Sequence, residues 1–338
     1  MKKMIYFDSA ASTPIYKEVA DEMAKLSLTT FGNPSSIHKF GQETKAIIER
    51  ARLSISKNIG CDISEIIFTG CGSESNNIAL LGTLKRGDHL ITSSYEHPAV
   101  LNVANYLSKI GIEISYISPN EFGTINLSEI ESSIKNNTKL ISIMYVNNEL
   151  GTINPIDEIG LLAKDNNILF HTDAVQLVGK KHINLESHSI DLLSISAHKF
   201  YGPKGVGALY IKNGVNLSAT YFGGGQEKDL RPGTENVAGI FGMSMALNKS
   251  TLELPDWEKS MNEYESAFIE CLSRSEIKYT INGKNRIPGI INISFNDILS
   301  QDLVMALDIR GYAISGGSAC SSGSVKPSST LKEIGMLS

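Results

Sequence analysis

A chain of 338 residues with 41% hydrophobic content is long enough for one large domain and a smaller one, and it can fill a sizeable core. Its formal net charge of -5 comes from 36 acidic and 31 basic residues mixed along the sequence, with no basic block suited to tracking a phosphate backbone, so nucleic acid is not an expected direct ligand. The opening MKKMIYFDSAASTP turns polar before any apolar stretch of signal-peptide length, and no later run reaches the roughly 18 apolar residues of a membrane span, so the expectation is a cytoplasmic protein with no membrane partner.

From about residue 60 to 212, short β-branched runs alternate with helix-patterned segments, the signature of a mainly parallel sheet covered by helices. The runs include IIFTG (66–70), HLITSSYEH (89–97), KLISIMYVNNE (139–149), ILFHTDA (168–174) and DLLSISAHK (191–199). Between them, SESNNIALLGTLK, AVLNVANYLSKIG and PIDEIGLLAKDNN begin with Ser, Pro or acidic residues suited to helix N-termini. A glycine-rich stretch (221–233) interrupts the pattern. A helix from Pro255 to about Ser275, strands KYTIN and IINISF, a helix QDLVMALDIRG and a loop then read as a smaller α+β domain. Ligands of such sheets sit beyond the carboxyl ends of the strands.

The polar clusters fall at those ends. TGCGSESNN (69–77) puts two glycines and Ser73 at a strand-to-helix turn, where backbone N–H groups and the helix dipole favour a phosphate, although glycines also serve simple tight turns. His97 precedes Pro98 at a helix entrance, where an imidazole can cover a ring or move protons, or simply make a structural hydrogen bond. Asp173 follows the strand ILFHT, with Gln176 three residues on. Such a carboxylate suits a pyridine nitrogen that must stay protonated, or it caps the next helix; Gln176 suits the ring's phenolic oxygen, or it is a plain helix-surface residue. Lys199 ends SISAHK beside Ser196 and His198, a setting in which a lysine can form a Schiff base. The four cysteines, Cys61, Cys71, Cys271 and Cys320, have neither disulfide-framework nor metal-ligand spacing, and no metal is expected. Cys320 alone lies in a Gly- and Ser-rich loop, GSACSSGSVKPSS, where a thiol is within solvent's reach.

Taken together, YFDSAAST, FGNPSSIHKFG, TGCGSESNN, SYEHPAV, YVNNELG, HTDAVQ, SISAHKFYGPKGVGALY, GGGQEKDLRPGTENVAG and GSACSSGSVKPSSTL resemble the cysteine desulfurases of the class V aminotransferase group, fold type I enzymes that use pyridoxal 5'-phosphate (PLP). The resemblance implies an α/β fold with a large PLP-binding domain over residues 15–250 and a small domain formed by 1–14 and 251–338. It implies a homodimer that converts L-cysteine to L-alanine and passes sulfur, through a persulfide on Cys320, to an acceptor protein of iron–sulfur assembly or thiolation. It makes Lys199 the Schiff-base lysine, Asp173 the ring-nitrogen partner, Gln176 the phenolate partner and His97 the stacking acid/base. Ser73, standing where the family usually has Thr, would hold the phosphate with Ser196, His198 and Thr234, the last across the dimer; Asn148 would meet the substrate carboxylate. Cys71 stands where the family usually has Ala and takes no role. Selenocysteine lyase activity and a sulfur-transfer scaffold of impaired turnover are the alternatives. The family continues beyond GMLS and there supplies an arginine for the substrate carboxylate, whereas the last arginine here is Arg310, so slow turnover or completion of the site by another segment is expected.

Overall fold

The computed structural model describes residues 4–317 and 328–336. The elements in chain order are β1 (Ile5–Tyr6), α1 (Lys17–Thr29), α2 (Lys39–Ile59), β2 (Ile66–Thr69), α3 (Gly72–Thr83), β3 (His89–Ser93), α4 (Pro98–Lys109), β4 (Glu113–Ile117), α5 (Leu127–Ser132), β5 (Thr138–Ser142), α6 (Ile156–Asp165), β6 (Leu169–Asp173), β7 (Leu192–Ser196) and β8 (Gly207–Ile211). They are followed by α7 (Val237–Leu252), α8 (Leu254–Ser273), β9 (Tyr279–Asn282), β10 (Asn292–Phe295), α9 (Ser300–Arg310), β11 (Tyr312–Ala313) and α10 (Ser329–Glu333).

Seven strands form the central sheet in the order β2-β8-β7-β6-β5-β3-β4. All neighbours are parallel except those of β8, which runs antiparallel to both β2 and β7. The expected α/β fold with a mainly parallel sheet is therefore the observed one. Successive residues of these strands serve opposite faces, as the pleat requires. Ile66 and Phe68, Ile91, Ile141 and Leu193 join one core with α2, α6 and α7, while Ile67, Leu90, Leu140 and Leu192 join a second core with α3 and α4. Both faces being covered, the strands read as continuous apolar runs.

The edge strand β2 is tied down by a buried ion pair. Glu227 accepts from Arg52 Nη1 and Nη2 at 2.8 and 2.7 Å and also from the Phe68 amide at 2.7 Å, while Arg52 Nη1 donates to the Ile66 carbonyl at 2.8 Å. The two side chains are only 12% and 3% exposed. Removing one partner strands the other charge, so Arg52→Met should lower stability by about 3–5 kcal/mol. Urea unfolding monitored by circular dichroism will measure this, and a loss under about 1 kcal/mol would place the pair among ordinary surface bridges.

Beyond the central sheet, β9 and β10 pair antiparallel, and β1 pairs in parallel with β11, which joins two segments far apart in the sequence. The helix expected from Pro255 to about Ser275 spans Leu254–Ser273.

Candidate active site

The loops leaving β2, β3, β5, β6 and β7 carry the polar groups, all at the carboxyl ends of parallel strands. At the end of β6, Asp173 is 8% exposed. Its Oδ2 accepts from Asn76 Nδ2 at 2.7 Å and its Oδ1 from the Val175 amide at 3.0 Å. The segment after Asp173 is a series of turns rather than a helix, so the carboxylate is not a helix cap. Asn76 comes from the buried face of α3, and its Oδ1 finds no partner among the described residues. No role was read for Asn76 in the sequence: a lone Asn inside a helix announces nothing until the helix is packed on the sheet.

Lys199 ends the short 3-10 turn Ala197–Lys199 that follows β7. Its Nζ donates to the carbonyls of Ala10 and Ala11, both at 2.8 Å. His198 places Nδ1 3.2 Å from Ser12 Oγ, and its carbonyl accepts from the amide and hydroxyl of Thr13. Burial, with the positive charge of Lys199 next, pushes the His198 imidazole down to about 4, so it is neutral at pH 7.

His97 caps α4, its Nδ1 accepting from the Ala99 amide at 3.0 Å with Pro98 in the first turn. This assigns the proton of the neutral ring to Nε2. Burial holds its pKa below the ordinary 6.5; the charge of Asp173 opposes the shift and that of Lys199 adds to it, which places the three groups in one electrostatic neighbourhood. The sign follows: the folded pKa lies below the unfolded one, so protonation as pH falls below 6.5 is bound more tightly by the unfolded chain and costs stability there. A proton NMR titration of the ring, identified with His97→Gln, should show a midpoint under 6.5. A midpoint at or above that value would contradict the buried placement.

Next to it, Glu96 is buried, with Oε1 accepting from Ser93 Oγ at 2.6 Å and the Met144 amide at 2.8 Å, and burial pushes its carboxyl up to about 8. It is therefore largely a neutral acid at pH 7. Of the two asparagines after β5, Asn147 is fully buried and ties the turn by accepting from the Glu149 and Leu150 amides, whereas Asn148 is half-buried. That leaves Asn148 as the member of the pair whose side chain is not spent on the backbone.

The start of α3 has the makings of an anion seat. Its N-cap, Cys71, makes no side-chain hydrogen bond to the first turn, and Ser73 is exposed there. A Cβ on Gly72 would lie 2.7 Å from Val175 Cγ2 and 3.4 Å from Ser196 Cβ, so only glycine lets the helix start approach the β6 and β7 loops this closely. A cavity of about 450 Å³ opens beside it, lined by Ser73, Asn77, His97 and Asn102 among others. Lys199 and Asp173 are not among its lining residues.

Two expected residues stand differently. Gln176 is buried, donating from Nε2 to the Ala10 carbonyl at 2.9 Å and accepting from Lys180 Nζ at 2.7 Å, so it is neither a surface residue nor uncommitted. Thr234 is exposed ahead of α7 and bonds none of these groups among the described residues. Cys320 lies outside the described residues.

The chain matches the Aminotransferase class-V model over residues 5–335. It is 46% identical over 340 residues to the cysteine desulfurase IscS of Dictyoglomus turgidum (strain DSM 6724 / Z-1310), covering 99% of this chain and 86% of that one. It is 44% identical over 346 residues to the cysteine desulfurase IscS of Buchnera aphidicola subsp. Baizongia pistaciae, covering 99% and 85%. Among solved structures, a NifS-like protein superposes with a TM-score of 0.92 at 35% identity over 99% of this chain and 90% of that one. SspA in complex with cysteine superposes with a TM-score of 0.87 at 38% identity over 98% and 94%.

Proposed function

Since the chain belongs to the aminotransferase class-V family and is a cysteine desulfurase within it, we propose that the strand-end cluster holds PLP and passes the sulfur of L-cysteine to Cys320. The observation that carries the reading is the buried Asp173 carboxylate, fixed by Asn76 and Val175 in the same electrostatic neighbourhood as Lys199 and His97. The donor set suits the cofactor. Ser73, Ser196, His198 and the uncapped start of α3 would hold its phosphate, with Thr234 joining from the partner of a homodimer; Asp173 would meet the ring nitrogen, Gln176 the phenolic oxygen, and His97 would cover the ring. When bound, PLP supplies an electron sink for charge developing at the substrate carbon.

The chain's own residues do the rest. Lys199 would hold the cofactor covalently, and its amine is the group that would take the proton from the substrate Cα. Asp173, its two oxygens fixed by Asn76 and the Val175 amide, would face the ring nitrogen. With Nδ1 taken by the Ala99 amide, neutral His97 carries its proton on Nε2, where it would act as a proton donor to the reacting substrate. Asn148 orients the substrate carboxylate. The Cys320 thiolate attacks the substrate sulfur; an S–S bond forms as the S–Cβ bond breaks with its electron pair kept by the carbon, the sulfur stays as a persulfide, and the three-carbon remainder takes up a proton at Cβ and leaves as alanine.

The persulfide sulfur then goes to an acceptor protein of iron–sulfur assembly or thiolation, in the cytoplasm. Among the described residues no helix is long and apolar enough to cross a membrane. The division into a large domain (15–250) and a small one (1–14 with 251–338) belongs to the same proposal, supported by the pairing of β1 with β11.

The test is stoichiometric: with L-cysteine and a thiol acceptor, the PLP-loaded chain should release one alanine per sulfur accepted. Release of pyruvate, or turnover of selenocysteine but not cysteine, would refute it. A finer expectation concerns Asn76. Losing its charge-assisted bond to Asp173, at about 1.5–3 kcal/mol, should make Asn76→Leu bind PLP roughly tenfold or more weakly by equilibrium dialysis; unchanged affinity would mean Asn76 does not support the carboxylate.

A further inference from the structure

Lys180 is the one described lysine buried to 6% exposure, and nothing above gives it work. Among the described residues its Nζ makes one hydrogen bond, to Gln176 Oε1 at 2.7 Å, and no carboxylate lies within ion-pair distance. A buried ammonium without a counter-ion is costly unless something repays it. Burial, with the charge of Lys199 second, brings its pKa down to about 7, and Lys180 in turn helps depress the neighbouring His198.

The chemistry of the two ends of Gln176 makes the arrangement directional. Lys180 can donate and Ala10 O can only accept, so the amide oxygen must face Lys180 and the NH2 group must face Ala10. The Ala10 carbonyl accepts from Lys199 Nζ as well, at 2.8 Å. Lys180 and Gln176, both buried, and Ala10 and Lys199, both half-buried, therefore form one continuous line of hydrogen bonds. Without Lys180 only the Ala10 carbonyl holds the amide, so its donor face toward the site is less firmly fixed.

Building on the cofactor reading above, we propose that Lys180 is a positioning residue for this reaction, which sets the amide of Gln176 donor-side toward the site and, through the shared Ala10 carbonyl, the placement of the Lys199 amine. Loss of Lys180 removes a neighbouring cation and loosens a donor to the phenolic oxygen, and both changes favour retention of a proton at the Lys199 linkage. The midpoint of the pH-dependent change in the visible band of the PLP-loaded protein should therefore rise in Lys180→Met by about one unit. In a Gln176→Leu background the Lys180 substitution should shift it by clearly less, because the amide it acts through is gone and only the loss of the neighbouring charge remains. Lys180→Gln keeps an N–H donor without charge, should fall between wild type and Lys180→Met, and serves alone in the same cycle if Lys180→Met does not fold. An unmoved midpoint in the variant that folds, or a shift that adds in full to that of Gln176→Leu, overturns the positioning role. A wild-type chain with no PLP-dependent visible band overturns the cofactor reading itself and this role with it, so the two failures are told apart before any variant is made.

Discussion

Lys199→Ala is expected to abolish the covalent attachment of PLP and to lower alanine production by about a thousandfold or more. Two roles disappear with one amine: the covalent partner of the cofactor and the base for the substrate Cα, and positioned proton transfer alone is worth about 10²–10⁴-fold. The fold should survive. Lys199 sits on a short turn at partial exposure, and the carbonyls of Ala10 and Ala11 that it contacts lie on a segment held independently, by the Tyr6 hydroxyl on Ser12 O at 2.8 Å and by Thr13 on His198 O. Borohydride reduction followed by peptide mass spectrometry should find the adduct on Lys199 in the wild-type chain and none in the variant. An adduct on Lys180, the other lysine of this neighbourhood, would exchange the roles argued for the two.

Cys320→Ser separates binding from sulfur abstraction. The variant should still take up cysteine with the spectral change of the wild type, yet release essentially no alanine, because a serine hydroxyl at neutral pH neither ionises nor attacks divalent sulfur. A thiolate is a strong nucleophile toward sulfur, and the serine variant has none to offer. If the serine variant releases alanine at the wild-type rate, sulfur leaves by direct elimination and the lyase reading replaces this one.

Much of the frame was legible because it rests on local signals. IIFTG, HLITS and DLLSIS are β-branched runs closed by turn formers, and each is a strand of the central sheet within a residue or two. Asp173, His97 and Lys199 were legible as site candidates through the resemblance of the motifs taken together; singly each had a structural reading, and His97 does cap α4. What was not legible is tertiary. Nothing in VGALYI says that β8 runs against its neighbours, since side-chain alternation is the same in either direction. Asn76 and Lys180 lie in a helix and a turn whose polar composition suggests solvent, and only packing shows them buried against Asp173 and Gln176. Thr234 needs a second copy of the chain before its exposure can mean anything.

The pairing of β1 with β11 also bears on how the molecule is made. The segment that offers Ala10 and Ala11 to Lys199 is synthesised long before its strand partner, Tyr312–Ala313, and Ser315 Oγ adds a bond to Asp8 Oδ1 at 2.7 Å. Contacts between such distant positions close late, after the loop entropy of the intervening chain has been spent. A nascent chain still short of residue 312 can complete its central sheet, all of whose strands lie upstream, yet lacks the anchor that settles its leading segment against the lysine. Maturation of the site is thereby tied to the emergence of β11 from the ribosome, and products truncated before it would be folded at the centre but loose where the chemistry is done.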